Sequence, residues 1–219
     1  MDMRKRSLVV VTLFATGALA LGISTFVGGG KLGDQVGREA LREGDIVFQH
    51  TGGEQGRAVE LATGSPWTHV GILFKEHGQW MVHEAVGPVR KIALSEWVEH
   101  GEEGHWTAKR WIHAEKQLAP SAIGRLKEAG ARFNGLPYDL QFGWSDDRIY
   151  CSELVWKIYK NGLGVELCAP KPMRENALGS ETVRRVMQQR YGSAPPLDEL
   201  MISPGALFDC AELRTVLVE

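Results

Sequence analysis

The stretch THVGILFKEHGQWMVHEAV, Thr68 to Val86, decides the fold. Thr68 to Lys75 and Gln79 to Val86 are apolar-rich segments that read as paired strands. Between them His77-Gly78 is a tight turn, with Gly supplying the positive φ that such a turn needs. With a two-residue loop, Glu76 faces Gln79, His69 lies opposite Val86 and Glu84 lies opposite Gly71. His69 and Glu84 are then diagonal neighbours on one face, about 7–8 Å apart by Cα. Val70, Ile72, Phe74, Met81 and Ala85 occupy the other face, a core face, and His83 goes with them. A four-residue loop would place His69 directly opposite Glu84, and a three-residue loop would separate their faces.

Outward from this hairpin, Gly44-Asp45 turns into a strand at Ile46 to Gln49, and a short helix through Arg42 precedes it. Thr51 to Gly56 reads as a Gly-rich loop. Arg57 to Thr63 reads as a helix closed by Gly64 and Pro66. Lys91 to Leu94 continues the sheet, Ser95 caps a short helix through Val98, and Trp106 to Ile112 is another strand. Pro120-Ser121 opens an amphipathic helix in which Ile123, Leu126, Ala129 and Phe133 recur at helical spacing, ended by Gly135. A polar loop from Tyr138 to Asp147 leads to a helix from about Tyr150 to Lys160, with Asn161-Gly162 as its stop. Glu181 to Tyr191 is a third helix. Strands in the middle with helices around them define an α+β domain.

Cys151 lies in the first turn of the Tyr150 helix and shares the inward face of Leu154, Val155 and Ile158. Backbone N–H groups at a helix start stabilise a thiolate and can receive the oxyanion of a tetrahedral intermediate. A single thiol is more often a buried structural residue, and a lone strand histidine is more often structural too. What favours chemistry is the combination. Glu84 can hold one imidazole nitrogen of His69, fix its tautomer, and leave the other nitrogen for a thiol proton. His83, on the core face, is structural in this register. Glu153 belongs to the helix start for dipole reasons, and Asp146-Asp147 to a loop or cap.

The three motifs, Thr68-His69-Val70-Gly71-Ile72, then His83-Glu84-Ala85, then Tyr150-Cys151-Ser152-Glu153-Leu154-Val155, resemble the YiiX-type permuted papain-like enzymes. These belong to the NlpC-type cysteine peptidase superfamily and are relatives of lecithin:retinol acyltransferase. The Gly44 to Phe48 start and the Tyr138 to Ser145 approach also look like that group, so the resemblance covers roughly Leu41 to Pro172. The cysteine follows the histidine, as in the permuted branch. The resemblance implies a circularly permuted papain-like fold, an antiparallel sheet packed against the nucleophile helix. It implies Cys151 as nucleophile, His69 as base and Glu84 as third group. Trp67, Trp144 and Tyr138 are the expected substrate-binding side chains. The expected reaction is hydrolysis of an amide, in a cell-wall peptide or an N-acyl amino acid, through an acyl-enzyme. A lipid acyltransferase or phospholipase, and a non-enzymatic binding module, are the alternatives.

The 219 residues, with a formal net charge of −2, suffice for one domain with a core and give no basic face for nucleic acid. The expected partner is a small-molecule, peptide or lipid substrate. No cofactor is expected, and no Cys or His spacing suggests a metal site. Arg4-Lys5-Arg6 precedes an uncharged stretch from Leu8 to about Val27, followed by Gly28-Gly29-Gly30. This reads as an export signal, with Ala18-Leu19-Ala20 resembling a cleavage site, or as an uncleaved membrane anchor. Residues 1–30 are therefore read as signal or anchor with a Gly-rich linker and 35–219 as the hydrolase domain, periplasmic or otherwise extracytoplasmic. Of the three cysteines, Cys168 and Cys210 could bridge, since export permits disulfides.

Overall fold

The computed structural model describes residues 39–219. The expected signal or anchor at 1–30, and the start of the helix expected to end at Arg42, lie outside the described residues. The described end of that helix, Glu39 to Arg42, is turn and irregular chain.

The strands are β1 (Ile46–Gln49), β2 (His69–Glu76), β3 (Gln79–Ala85), β4 (Val89–Ala93), β5 (Trp106–Trp111), β6 (Lys171–Pro172), β7 (Leu200–Met201) and β8 (Leu213–Val218). The helices are α1 (Gly53–Thr63), α2 (Leu94–Glu99), α3 (Ala114–Gln117), α4 (Pro120–Ala131), α5 (Cys151–Leu163), α6 (Glu181–Tyr191) and α7 (Pro204–Phe208). Six strands form one antiparallel sheet in the order β4-β3-β2-β1-β5-β8, and β6 pairs with β7 apart from it.

The β2–β3 hairpin has the expected register. Gly71 lies opposite Glu84 and Ile72 opposite His83. His77 and Gly78 both take positive φ, 48° and 83°, the backbone whose twist matches that of the flanking strands. One sheet face carries Val70, Ile72, Phe74 and Ala85 into a core shared with Ile123, Leu126 and Phe133 and with Leu154, Val155 and Ile158 of α5. The opposite face carries Val47, Leu73 and Val82 against Trp97 and Trp106. Apolar alternation at period two thus meets helix faces at period 3.6, which makes the sheet–helix layers.

Several element boundaries differ from the sequence reading, three of them for reasons the packing shows. The segment from Gly53 is helix, not loop. Gly56 reads as a breaker, yet a Cβ there would sit 1.9 Å from the Thr51 carbonyl oxygen, so glycine is what lets the helix close onto the preceding chain. α5 runs past Asn161-Gly162 to a left-handed Gly164 cap with φ 73°. Gly162 instead sits where a Cβ would come 3.1 Å from the Arg125 carbonyl and the Leu126 Cα, a close helix–helix approach. α2 begins at Leu94 after an extended Ala93, so Ser95 lies inside the first turn rather than capping it.

Candidate active site

Cys151 is the first residue of α5, after an extended Tyr150 with φ −104° and ψ 169°. Two bonds fix this helix start. The Ser152 hydroxyl donates to the Ile202 carbonyl at 2.8 Å, and the Ile202 N–H donates to the Tyr150 hydroxyl at 3.1 Å. Glu153 accepts from the Tyr150 N–H at 3.3 Å and pairs with Lys157 at 2.8 Å. It is a buried capping carboxylate, as its position suggested, and burial pushes it up to about 7 against the opposing pull of Lys157.

His69 opens β2 and pairs with Gln49 of β1. The preceding Thr68 receives the Thr51 N–H at 2.7 Å and gives its own N–H to the Gln49 carbonyl at 3.1 Å. These bonds hold the strand entrance still. The His69 imidazole lies at the sheet end against the Trp97 ring, with centroids 6.1 Å apart. Its Nε2 is 2.7 Å from Glu84 Oε2, and both residues are buried. Glu84 has a second partner, Arg90 Nε at 3.0 Å, directly opposite it on β4.

The Cys151 thiol is the second group that acts on the imidazole electrostatically. Burial by itself would lower the His69 pKa, but the hydrogen bonds and charges of Cys151 and Glu84 outweigh it and raise it to about 9. Burial raises the Cys151 thiol, while the bond and charge of His69, the Tyr138 hydroxyl and the Ser152 N–H bring it below its ordinary value. Burial resists ionisation of Glu84 as well, and His69 and Arg90 overcome it, so Glu84 is held below the usual carboxylate range. The three shifts agree in direction on thiolate, imidazolium and carboxylate in a row.

Tyr138 and Cys151 share the wall of one cavity, and the Tyr138 hydroxyl acts on the titration of the thiol. Burial, then the adjacent sulfur charge, pushes its own titration far above the ordinary value, so it remains an O–H donor. The phenol is backed by Gly87, where a Cβ would come 3.2 Å from the Tyr138 Cβ.

Two cavities meet at this group. One, of about 70 Å³, has Cys151 in its wall and is otherwise lined largely by apolar side chains, among them Ala58 and Val59 of α1, Val183 and Val186 of α6, and Met173 and Met201. The other, of about 390 Å³, is lined by His69, Glu84, Thr51, Gln49 and His100. Tyr138, Gln55 and Thr68 line both.

Of the expected substrate-binding residues, Tyr138 lies at the thiol. Trp67 and Trp144 line neither of these cavities. Trp67 packs against Phe48 and Phe208, with centroids 6.4 and 5.0 Å away, and Trp144 packs edge-on against Trp156 at 5.1 Å. Proximity in sequence to a motif does not put a large ring in the cleft; each found apolar partners on the core margin instead. His83 is fully buried on the α4 side, where a Cβ on Gly130 would come 2.8 Å from its ring. Arg90, Gln55 and the cavity walls of α6 were not foreseen. Arg90 could have been found by extending β4 back to Val89, which sets it opposite Glu84.

A cysteine at a helix start, a histidine at a strand start and a carboxylate beside it, with the cysteine last in the chain, fit a papain-like cysteine hydrolase of permuted order. The sequence matches the family described as permuted papain-like amidase enzyme, YaeF/YiiX, C92 family, over residues 40–217, and the chain belongs to that family. It is 40% identical over 176 residues to the uncharacterized protein YiiX of Escherichia coli (strain K12), covering 80% of this chain and 86% of that protein. It also resembles the crystal structure described as metalloprotein YiiX from Escherichia coli O157:H7, with a TM-score of 0.77 and 40% identity, over 81% of this chain and 97% of the other.

Proposed function

We propose that this chain is a cysteine amidase that releases an apolar acyl group from a polar amine, with Cys151 as nucleophile, His69 as its proton-transfer partner and Glu84 as the group that orients His69. The observation that carries this is the position of the thiol in the wall of an apolar cavity while His69 faces a more polar one. The Cys151 thiolate attacks the amide carbonyl carbon, and the electron pair moves to oxygen. The Tyr138 O–H and the N–H groups at the start of α5 receive that oxyanion. The C–N bond then breaks as the His69 imidazolium gives its proton to the leaving nitrogen on the polar side. His69, now neutral, takes a proton from water, which attacks the thioester and returns Cys151. Glu84 holds Nε2 and leaves Nδ1 for this traffic.

Such a pocket suits a fatty or otherwise apolar N-acyl group better than the polar stem of a cell-wall peptide, so the N-acyl amino acid is the favoured substrate class. The basic and apolar start of the chain places the reaction outside the cytoplasm in this proposal. The YiiX structure is described as that of a metalloprotein. Among the described residues here no three His, Cys, Asp or Glu side chains stand together as a metal-binding group, so no step is assigned to a metal.

The test is a series of N-acyl amino acids of increasing acyl length, beside cell-wall peptides and phospholipid vesicles. Each methylene buried in the cavity contributes about 0.8 kcal/mol, or about fourfold in kcat/KM, until the cavity is full. Faster cleavage of the cell-wall peptides, or indifference to acyl length, would reject this substrate class. Release of fatty acid from the vesicles alone would favour the lipid-ester reading of the same cavity.

A further inference from the structure

The Tyr138 hydroxyl has a neighbour that sets which way its proton points. Gln55, half-buried on α1, gives its Nε2–H to the Tyr138 oxygen at 3.3 Å. The Gln55 Oε1 receives Nη2 of Arg190, near the end of α6, at 3.1 Å. The Arg190 guanidinium lies 5.2 Å from the centroid of the Phe142 ring. A side-chain amide has one donating end and one accepting end, whereas a guanidinium only donates. Arg190 therefore claims the oxygen end of Gln55 and leaves the nitrogen end for Tyr138. A phenol oxygen that accepts from Gln55 keeps its own proton for the sulfur.

We propose that Gln55 and Arg190 are positioning residues that fix the Tyr138 O–H toward Cys151 and the oxyanion formed beside it. They reach the reacting atoms only through Tyr138. The relay also joins the oxyanion donor to the two helices whose Ala58, Val59, Val183 and Val186 wall the apolar cavity. A second bond between those helices, Arg185 Nε to Glu54 Oε1 at 2.8 Å, holds the same pair together. This inference rests on the reading of Cys151 as nucleophile.

Substitution Gln55→Glu tests it, because a carboxylate keeps the Arg190 bond but can only accept from Tyr138. The phenol proton then turns away from the sulfur. A thiolate that loses one donor has a higher pKa, and each unit leaves about tenfold less thiolate below the midpoint, so alkylation of Cys151 by iodoacetamide at about pH 6 should slow about tenfold. The slowing should disappear when Tyr138→Phe is already present, since the two changes then act on one bond. Arg190→Met frees the amide to rotate and should slow the reaction less, again only while Tyr138 is present. Slowing of equal size in the Tyr138→Phe background would mean that the added charge acts directly on the sulfur, and would overturn the relay. Unchanged rates in both single variants, with Cys151 still the fastest thiol, would overturn the relay alone. A wild-type Cys151 no faster than Cys168 would overturn the nucleophile reading and the relay with it.

Discussion

Replacing the buried His83 should remove a large part of the acid sensitivity of this fold. His83 lies between the sheet and α4, fully buried, and neither ring nitrogen has a well-formed hydrogen bond. Burial first, and then the charge of Lys91 opposite it on β4, push its pKa from 6.5 down to about 4; Asn134 and Glu76 pull the other way and lose. The unfolded chain binds this proton near 6.5, so between 6.5 and about 4 it holds more protons than the folded chain. Stability from this group is therefore complete above 6.5 and is lost as pH falls through the window. A gap of about 2.5 units at about 1.4 kcal/mol each puts the loss at about 3 kcal/mol by pH 4. Urea unfolding of wild type and His83→Leu at about pH 7 and at several lower values measures it. The difference between the two proteins cancels carboxylates that titrate in both. Wild type should lose about 3 kcal/mol more than the variant over that range. Equal losses in the two would refute the reasoning and mean that His83 is protonated or solvated in the folded state.

Other consequences follow from single contacts. Arg110 binds Asp45 with two bonds of 2.7 Å, both residues buried. Arg110→Met should cost about 3–5 kcal/mol in urea unfolding by stranding the carboxylate, and adding Asp45→Asn should restore part of it. The Cys168 and Cys210 thiols act on one another's titration. The Cys168 sulfur also reaches the Ala206 carbonyl at 3.8 Å, and the Cys210 sulfur rests on the Leu167 carbonyl. After Cys151 has been alkylated at about pH 6, oxidised glutathione should join this pair within one chain, seen as a single linked peptide in a peptide map. Cys168 and Cys210 alkylated separately after oxidation would contradict that.

The hairpin and the Cys151 helix were legible in the sequence because local rules fix them. His77-Gly78 sets a two-residue turn, the turn sets register, and register puts Glu84 beside His69 and sends His83 to the opposite face. Cys151 follows from the helix start at Tyr150 and from the inward face it shares with Leu154, Val155 and Ile158. Residues that join the site from distant segments were not legible. Arg90 depends on where β4 starts, Gln55 on a helix that begins at a glycine, and Arg190 on the docking of α6 over α1. The same tertiary choices sent Trp67 and Trp144 into aromatic packing rather than into the cleft, because a large ring is placed by the partners that bury it. Gly56 and Gly162 misled for one reason: each serves close approach inside or between helices, which sequence cannot distinguish from a helix stop.

The central claim is that Cys151 is a thiolate paired with His69. It is tested most directly by the rate of iodoacetamide alkylation of each cysteine as a function of pH, in wild type and in His69→Ala. The raised His69 pKa, about 9, and the lowered Cys151 pKa both favour the ion pair. Cys151 should therefore react fast at about pH 6, where an ordinary thiol is almost wholly protonated. In His69→Ala the burial of the sulfur is no longer opposed by the imidazolium, so the reaction at that pH should collapse and its midpoint should move toward or above the ordinary thiol value. A Cys151 that reacts at the pace of Cys168 and Cys210, with a midpoint that His69→Ala leaves unmoved, would contradict the account.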